Sequence, residues 1–449
     1  MHTLSTMTSN APVPIVASGR AHLVQIINDL RKKTSITDWN HVDVSKVENF
    51  DAILKGPGFI GDISKWNTRS VTSMAEMFEN SEFDGDISAW NVSSVTNMDG
   101  LFRGTTRFNG PITNWNTSKV RGMAFMFAFS QFNSPIGAWD VSQVTHMNSM
   151  FRKSTYDQPL SKWNVSSVTT MERMFDSCPF NRPIEDWDVS QVTDMGLMFH
   201  KSYFDQDIGQ WNTSQVTSMK AMFDEGTFNR FLGEWDVSKV TTMDFMFAKT
   251  PFNQDISKWN TSSCTAMRKM FAATPFNNDI SAWDVSKVED FSNMFEQSVY
   301  NGELDQWNVE CATDMSGMFM GSEFDGDISK WNVAKVTEFS EMFEFARFTG
   351  DISDWEIALD ASITAMFDAE SFARLKTPNI YMWNLVLEER SVQLCYEWQE
   401  HLNRHVYVFD TLGFDGQESA MKIHGWWKTR HLERSMPDAL PLPNMGDGI

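Results

Sequence analysis

Residues 83–102 read FDGDISAWNVSSVTNMDGLF, and residues 324–343 read FDGDISKWNVAKVTEFSEMF. The hydrophobic letters are kept across that distance and several polar ones are exchanged. The same sentence recurs between the two. Tryptophan stands at Trp66, Trp90 and Trp115, then at every twenty-fourth residue to Trp355. A fixed period of this length is the signature of a repeat architecture, in which each unit buries its apolar face only against its neighbours.

The columns of one repeat are numbered from its leading phenylalanine, so that Phe83 is column 1 and Trp90 is column 8. Trp39 lies out of step with the tryptophan series. The better alignment puts Val42 in column 8 of the first unit, because DVSKVENFDAIL (43–54) then matches NVSSVTNMDGLF (91–102). This gives fourteen coils over residues 35–373, with column 1 of coils two, three and four at Phe59, Phe83 and Phe108.

Columns 13, 16 and 20 are apolar at i, i+3 and i+7, with column 19 beside them, which is the stripe of an amphipathic helix. Serine fills column 11 in ten of the fourteen coils and reads as the N-cap of that helix. Columns 8 and 10 share strand parity and point the same way, into the core. Proline in column 4 (Pro111, Pro135, Pro159, Pro183) marks a turn. The expected fold is therefore an α/β solenoid, leucine-rich-repeat-like, with one short strand and one short helix per coil and helical caps. Helices need about 8–10 Å between axes and strands about 4.8 Å, so stacking should bend the array with its helices outside.

The expected organisation is an N-terminal arm and capping helix (1–34), the repeat solenoid (35–373), a C-terminal helical cap (374–408) and a tail (409–449). The tail is close to neutral and holds Trp426 and Trp427, and it reads as a docking arm ahead of a disordered segment.

The chain of 449 residues carries a formal net charge of −22, which argues against nucleic acid and against docking on an anionic membrane. No apolar run is long enough to span a bilayer, and two prolines interrupt the one apolar stretch near the N-terminus. Cytoplasmic or virion location is therefore expected ahead of conventional secretion. Four cysteines share no column, so no disulfide ladder is implied.

Lines such as FNQDISKWNTSSCTAMRKMF (252–271), and the opening AHLVQIINDL followed by ITDWNHVDVSKVENF, resemble the BspA-like surface-protein repeats, the leucine-rich-repeat variant of mycoplasma lipoproteins. The resemblance covers about three quarters of the chain. It implies a leucine-rich-repeat solenoid engaged in adhesion or protein contact, with no catalytic residues. The lipobox cysteine and wall-sorting motif of the bacterial members are missing, which shifts the expectation toward a protist, algal or viral protein.

Each chemical candidate has a plainer reading. The tryptophan column reads as a core stack ahead of a sugar-binding ladder. The Asn/Asp of column 9 could join columns 2 and 4 in holding calcium, but the glycine-rich turns of calcium solenoids are missing, so a ladder satisfying turn amides is expected. Five sequons (Asn91, Asn116, Asn164, Asn212, Asn260) all fall in column 9 and arise from the repeat. The column-14 threonines read as local hydrogen bonding ahead of an ice-binding face. His401 and His405 have zinc spacing without the glutamate of a metalloprotease. No cofactor, metal site or catalytic set is expected, and hence no enzyme.

What remains is a non-enzymatic interaction or structural module, a component of a larger assembly such as a virus particle or cell-surface layer. The alternative is a surface adhesin for host glycan or protein. The candidate partner-binding residues are the outward apolar side chains Phe125, Phe129, Phe245 and Phe345, with Leu197 in a similar column, and Trp426 and Trp427 of the tail.

Overall fold

The computed structural model describes residues 14–32, 37–59, 61–358, 360–368, 371 and 374–375. The expected C-terminal cap beyond residue 375, and the tail with Trp426 and Trp427, lie outside the described residues.

The chain opens with β1 (Ile15–Val16) and α1 (Arg20–Arg31), and β1 pairs in parallel with β2 (Val42–Asp43) of coil one. Leu23, Ile26, Ile27 and Leu30 recur on one face of α1 and are buried. From there each coil pairs with the next by a parallel bridge at column 15, and coils one and two also by Asp38↔Asp62. The series runs Asn49↔Ser73, Ser73↔Asn97, Asn97↔Gly122 and onward to Glu338↔Ser362. The spacing of 24 holds throughout except for the single 25 between Asn97 and Gly122. The chain is a repeat protein whose coils stack in register.

The expected helix is absent. Among the described residues of 44–368 there is no helical residue and no strand longer than an isolated bridge. The bridge lies at column 15, inside the stretch expected to be helix, and not at columns 8–10. Hydrogen bonding explains the difference. In coil three, the amides of Met98, Gly100, Phe102 and Gly104 donate to the carbonyls of Gly122, Ala124, Met126 and Ala128 in coil four, at 2.7–2.9 Å. The intervening amides of Leu101, Arg103 and Thr105 turn back on Met98, Gly100 and Phe102 of their own coil, at 3.0–3.2 Å. Alternate amides thus leave the coil and return to it, and the segment is a run of tight turns.

Two left-handed residues per coil make that run possible. Columns 18 and 22 have positive φ from Ala52 and Gly56 in coil one to Glu341 and Phe345 in coil thirteen. A left-handed residue at every fourth position breaks an α-helix. The coil spacing fixed by the column-15 bridges is also about half what adjacent helices require. The i, i+3, i+7 stripe is real and buried, but turns deliver it.

The tryptophans pack inside. Trp66, Trp90 and the rest of the series are 3–4% exposed. Neighbouring rings stack at 6.2–6.4 Å between centroids and 4–8° between planes. Each indole N–H donates to the column-5 carbonyl of the preceding coil, as Trp90 Nε1 does to Ile63 at 3.1 Å, so the polar edge of the ring is satisfied in the core. Column-20 and column-1 phenylalanines stack across the turn that follows, Phe102 on Phe108 at 4.2 Å and Phe247 on Phe252 at 3.8 Å. Trp66 Nε1 donates to the Trp39 carbonyl. Trp39 therefore occupies the isoleucine column, as the alignment through Val42 requires.

Polar side chains complete the backbone. Column-9 oxygens accept the column-11 amide, Asn91 from Ser93 at 3.0 Å and Asp140 from Ser142 at 3.0 Å. The column-11 serine thus caps no helix; it closes an Asx turn. Column-4 aspartates do the same for column 6, as Asp86 does for Ser88 at 2.9 Å. In column 2 each side-chain oxygen accepts the column-2 amide of the next coil, an unbroken ladder from Asn109 to Thr349.

Coil one has no preceding coil to use its column-17 and column-21 carbonyls. The guanidinium of Arg20 donates to Asp51 O at 2.6 Å, and that of Arg31 reaches Lys55 O at 3.5 Å. Helix α1 therefore covers the first apolar face and also supplies donors where a coil is missing.

Candidate functional site

Columns 1, 5, 8, 13, 16, 19 and 20 are given over to the core. Within the turn run, the side chains free to vary lie in columns 17, 18, 21 and 22. All four described candidate phenylalanines fall at left-handed corners: Phe125 (φ 57), Phe129 (φ 60), Phe245 (φ 59) and Phe345 (φ 57). Phe129 is 38% and Phe345 68% exposed, whereas Phe125 and Phe245 are half-buried. Leu197 (φ 56) sits at an equivalent corner, also half-buried.

The structure brings together only the first pair, in coil four. Arg103 of coil three lies over the Phe125 ring at 5.2 Å, and Arg152 and Lys153 of coil five lie over Phe129 at 5.5 and 5.8 Å. Column 21 of this coil is the small residue Ala128, as it is Ala248 and Ala272 in coils nine and ten. Coil nine has one such contact from the opposite side, with Arg268 of coil ten over Phe245 at 5.5 Å. Cations over ring faces in partly dry surroundings contribute about 0.5–2 kcal/mol each. They also fix the orientation of both partners.

Besides Val16 of β1 (46%), three exposed apolar side chains of the coils escaped the sequence reading: Tyr203 (69%), Phe231 (45%) and Val299 (46%). Phe231 had a legible signal, since it replaces the Asp or Pro of column 4. Tyr203 and Val299 stand in column 24, which varies freely.

Column 21 was also missed, and it carries the charges that flank coil four. Lys55, Glu79 and Arg103 alternate through coils one to three, with Lys55 Nζ 2.6 Å from Glu79 and Arg103 3.6 Å from it. Arg152, Asp176, His200 and Asp224 alternate through coils five to eight. Both runs end at coil four in a guanidinium lying on a phenylalanine.

The carboxylates of columns 4 and 9 are spent on turns. Asp86 is held below the usual carboxylate range by the backbone and side-chain hydrogen bonds of Ser88, and Asp140 by those of Ser142. Burial pushes the thiols of Cys178 and Cys264 up to about 11 and about 12, away from the reactive thiolate. Threonines of column 14 donate to the carbonyl of the preceding coil, Thr241 to Thr217 at 3.1 Å. Among the described residues no cluster of three His, Cys, Asp or Glu side chains is placed to hold a metal, and no helix is long and apolar enough to cross a membrane.

Comparison with known proteins places this pattern. The family described as "Mycoplasma protein of unknown function, DUF285" matches the chain four times, over residues 22–131, 128–228, 201–300 and 296–405. No curated protein and no solved structure matches it.

Proposed function

Since the chain belongs to the DUF285 family of mycoplasma proteins of unknown function, we propose that it is a non-enzymatic recognition module, a solenoid of the BspA-like, leucine-rich-repeat kind. Its variable corner columns contact another protein within a larger assembly, such as a virion or a cell-surface layer. The observation that carries this reading is the pair Phe125 and Phe129. The corners they occupy are filled by Gly100 and Gly104 in the preceding coil, at φ 62 and 69. The backbone needs nothing but a left-handed residue there, and glycine supplies it without strain. A large aromatic at such a corner, partly exposed and framed by arginines, serves the surface of the molecule. Aromatic and arginine side chains are the groups that dominate binding energy at protein interfaces.

The test is association in the native assembly. The double variant Phe125→Ser/Phe129→Ser should stay folded and lose at least about tenfold in affinity for its partner, as expected for two interface anchors. Unchanged retention of the folded variant in the assembly would reject the coil-four surface.

A further inference from the structure

His200 stands in column 21 between two aspartates one coil away on either side. Its Nδ1 is 2.8 Å from Asp176 Oδ1 in coil six, and its Nε2 is 3.7 Å from Asp224 Oδ2 in coil eight. The side chains are 18%, 2% and 14% exposed for His200, Asp176 and Asp224. Asp176 is well supplied. Arg152 Nε from coil five is 2.9 Å away, Arg173 Nη1 of its own coil 3.6 Å away, and Ser177 Oγ donates to it at 2.8 Å. Among the described residues no lysine or arginine pairs with Asp224: Lys201 of coil seven and Lys249 of coil nine pair with the neighbouring Glu225 at 3.3 Å.

We propose that His200 is a proton-gated staple across coils six, seven and eight. With the imidazole charged, one N–H holds Asp176 and the other faces Asp224, so a single ring ties three coils. With the imidazole neutral, the N–H on Nδ1 stays with Asp176 and the lone pair on Nε2 is turned toward the Asp224 carboxylate. The middle coil then loses one of its two ties and faces a half-buried negative charge.

The carboxyl groups support the same direction. Burial pushes Asp224 up to about 6, against the charges of His200, Lys249 and Lys201 and with that of Glu225. Burial also works to raise Asp176, but the hydrogen bonds from His200 and Ser177 and the charges of His200 and Arg152 outweigh it, leaving that carboxyl below its usual value. Asp224 therefore binds its proton more tightly in the folded chain than in the unfolded one. That contribution is complete below the unfolded value and is lost as pH rises through about 6. The staple is tight in mild acid and loose in mild alkali.

Hydrogen exchange of the full chain, corrected for intrinsic rate, reads this directly. The amides that cross the staple are Ser177 N–H to His200 O at 2.7 Å and Lys201 N–H to Asp224 O at 2.8 Å. Their protection should fall about tenfold between pH 5 and pH 7, on either side of the raised Asp224 value and equivalent to roughly one pKa unit of coupling. Lys269 and Phe271 of coil ten, which bond the coil-eleven carbonyls in the same way, should not change. His200→Gln, which keeps a donor for Asp176 but cannot titrate, should flatten the dependence, and Asp224→Asn should reduce it. Equal pH dependence in coils seven and ten of the wild type, which needs no variant to fold, would overturn the proposal, as would an unaltered dependence in His200→Gln.

Discussion

Coil three and coil four turn the same two corners with different side chains. Coil three uses Gly100 and Gly104 at φ 62 and 69, and coil four uses Phe125 and Phe129 at φ 57 and 60. The hydrogen bonds are alike: Gly104 N–H reaches Ala128 O at 2.7 Å, and Phe129 N–H reaches Arg152 O at 2.8 Å. The cores are alike too, with Phe102 and Phe127 both fully buried. The two coils therefore separate what the stack requires from what it merely permits. It requires left-handed geometry at columns 18 and 22 and aromatic rings at columns 1, 8 and 20. It permits any corner side chain that can adopt positive φ.

The largest effect should come from what the two coils share. Phe102→Ala and Phe127→Ala each remove a fully buried ring stacked on both sides, and each should cost about 3–5 kcal/mol. Chemical denaturation followed by tryptophan fluorescence measures this. A difference between the two of more than about 2 kcal/mol would show that the coils do not have equivalent cores.

Corner substitutions sharpen the contrast. Gly104→Val puts a β-branched side chain at φ 69, with its Cβ falling against Asn80 Oδ1. It should destabilise by about 2–3 kcal/mol. Phe129→Gly relieves the corner and gives up one ring under Arg152 and Lys153, and should change stability by less than about 1 kcal/mol. Similar losses for the two variants would end the distinction between a backbone requirement and a surface choice.

The smallest effect concerns the turns both coils share. Asp86 of coil three is held low by its Ser88 hydrogen bonds. Its contribution is therefore present above the unfolded carboxylate value and lost as pH falls through the lower folded one. Asp86→Asn, which keeps only a neutral acceptor, should lower stability slightly at pH 7 and make the acid limb of the stability curve shallower. An identical acid limb would exclude Asp86 as a contributor.

The sequence by itself determined the repeat, its register and its core. Trp90, Met98 and Phe102 recur because every coil must offer its neighbour the same surface, and the alignment through Val42 followed from that alone. It also carried an unread sign of the corners. Columns 18 and 22 hold Gly100, Gly104, Gly317, Gly321, Asn80 and Asn293, and no Val, Ile or Thr among their described members. That exclusion is what positive φ imposes. The candidate phenylalanines were legible as outward side chains, but the arginines over their rings were not, because Arg103 and Arg152 lie one coil away on either side.

The tertiary structure alone decided helix against turn. Met98, Leu101 and Phe102 suit a helical stripe as well as they suit the observed turns. The choice is made by where alternate amides find acceptors, and those acceptors belong to the next coil, at a spacing too close for helices to lie side by side.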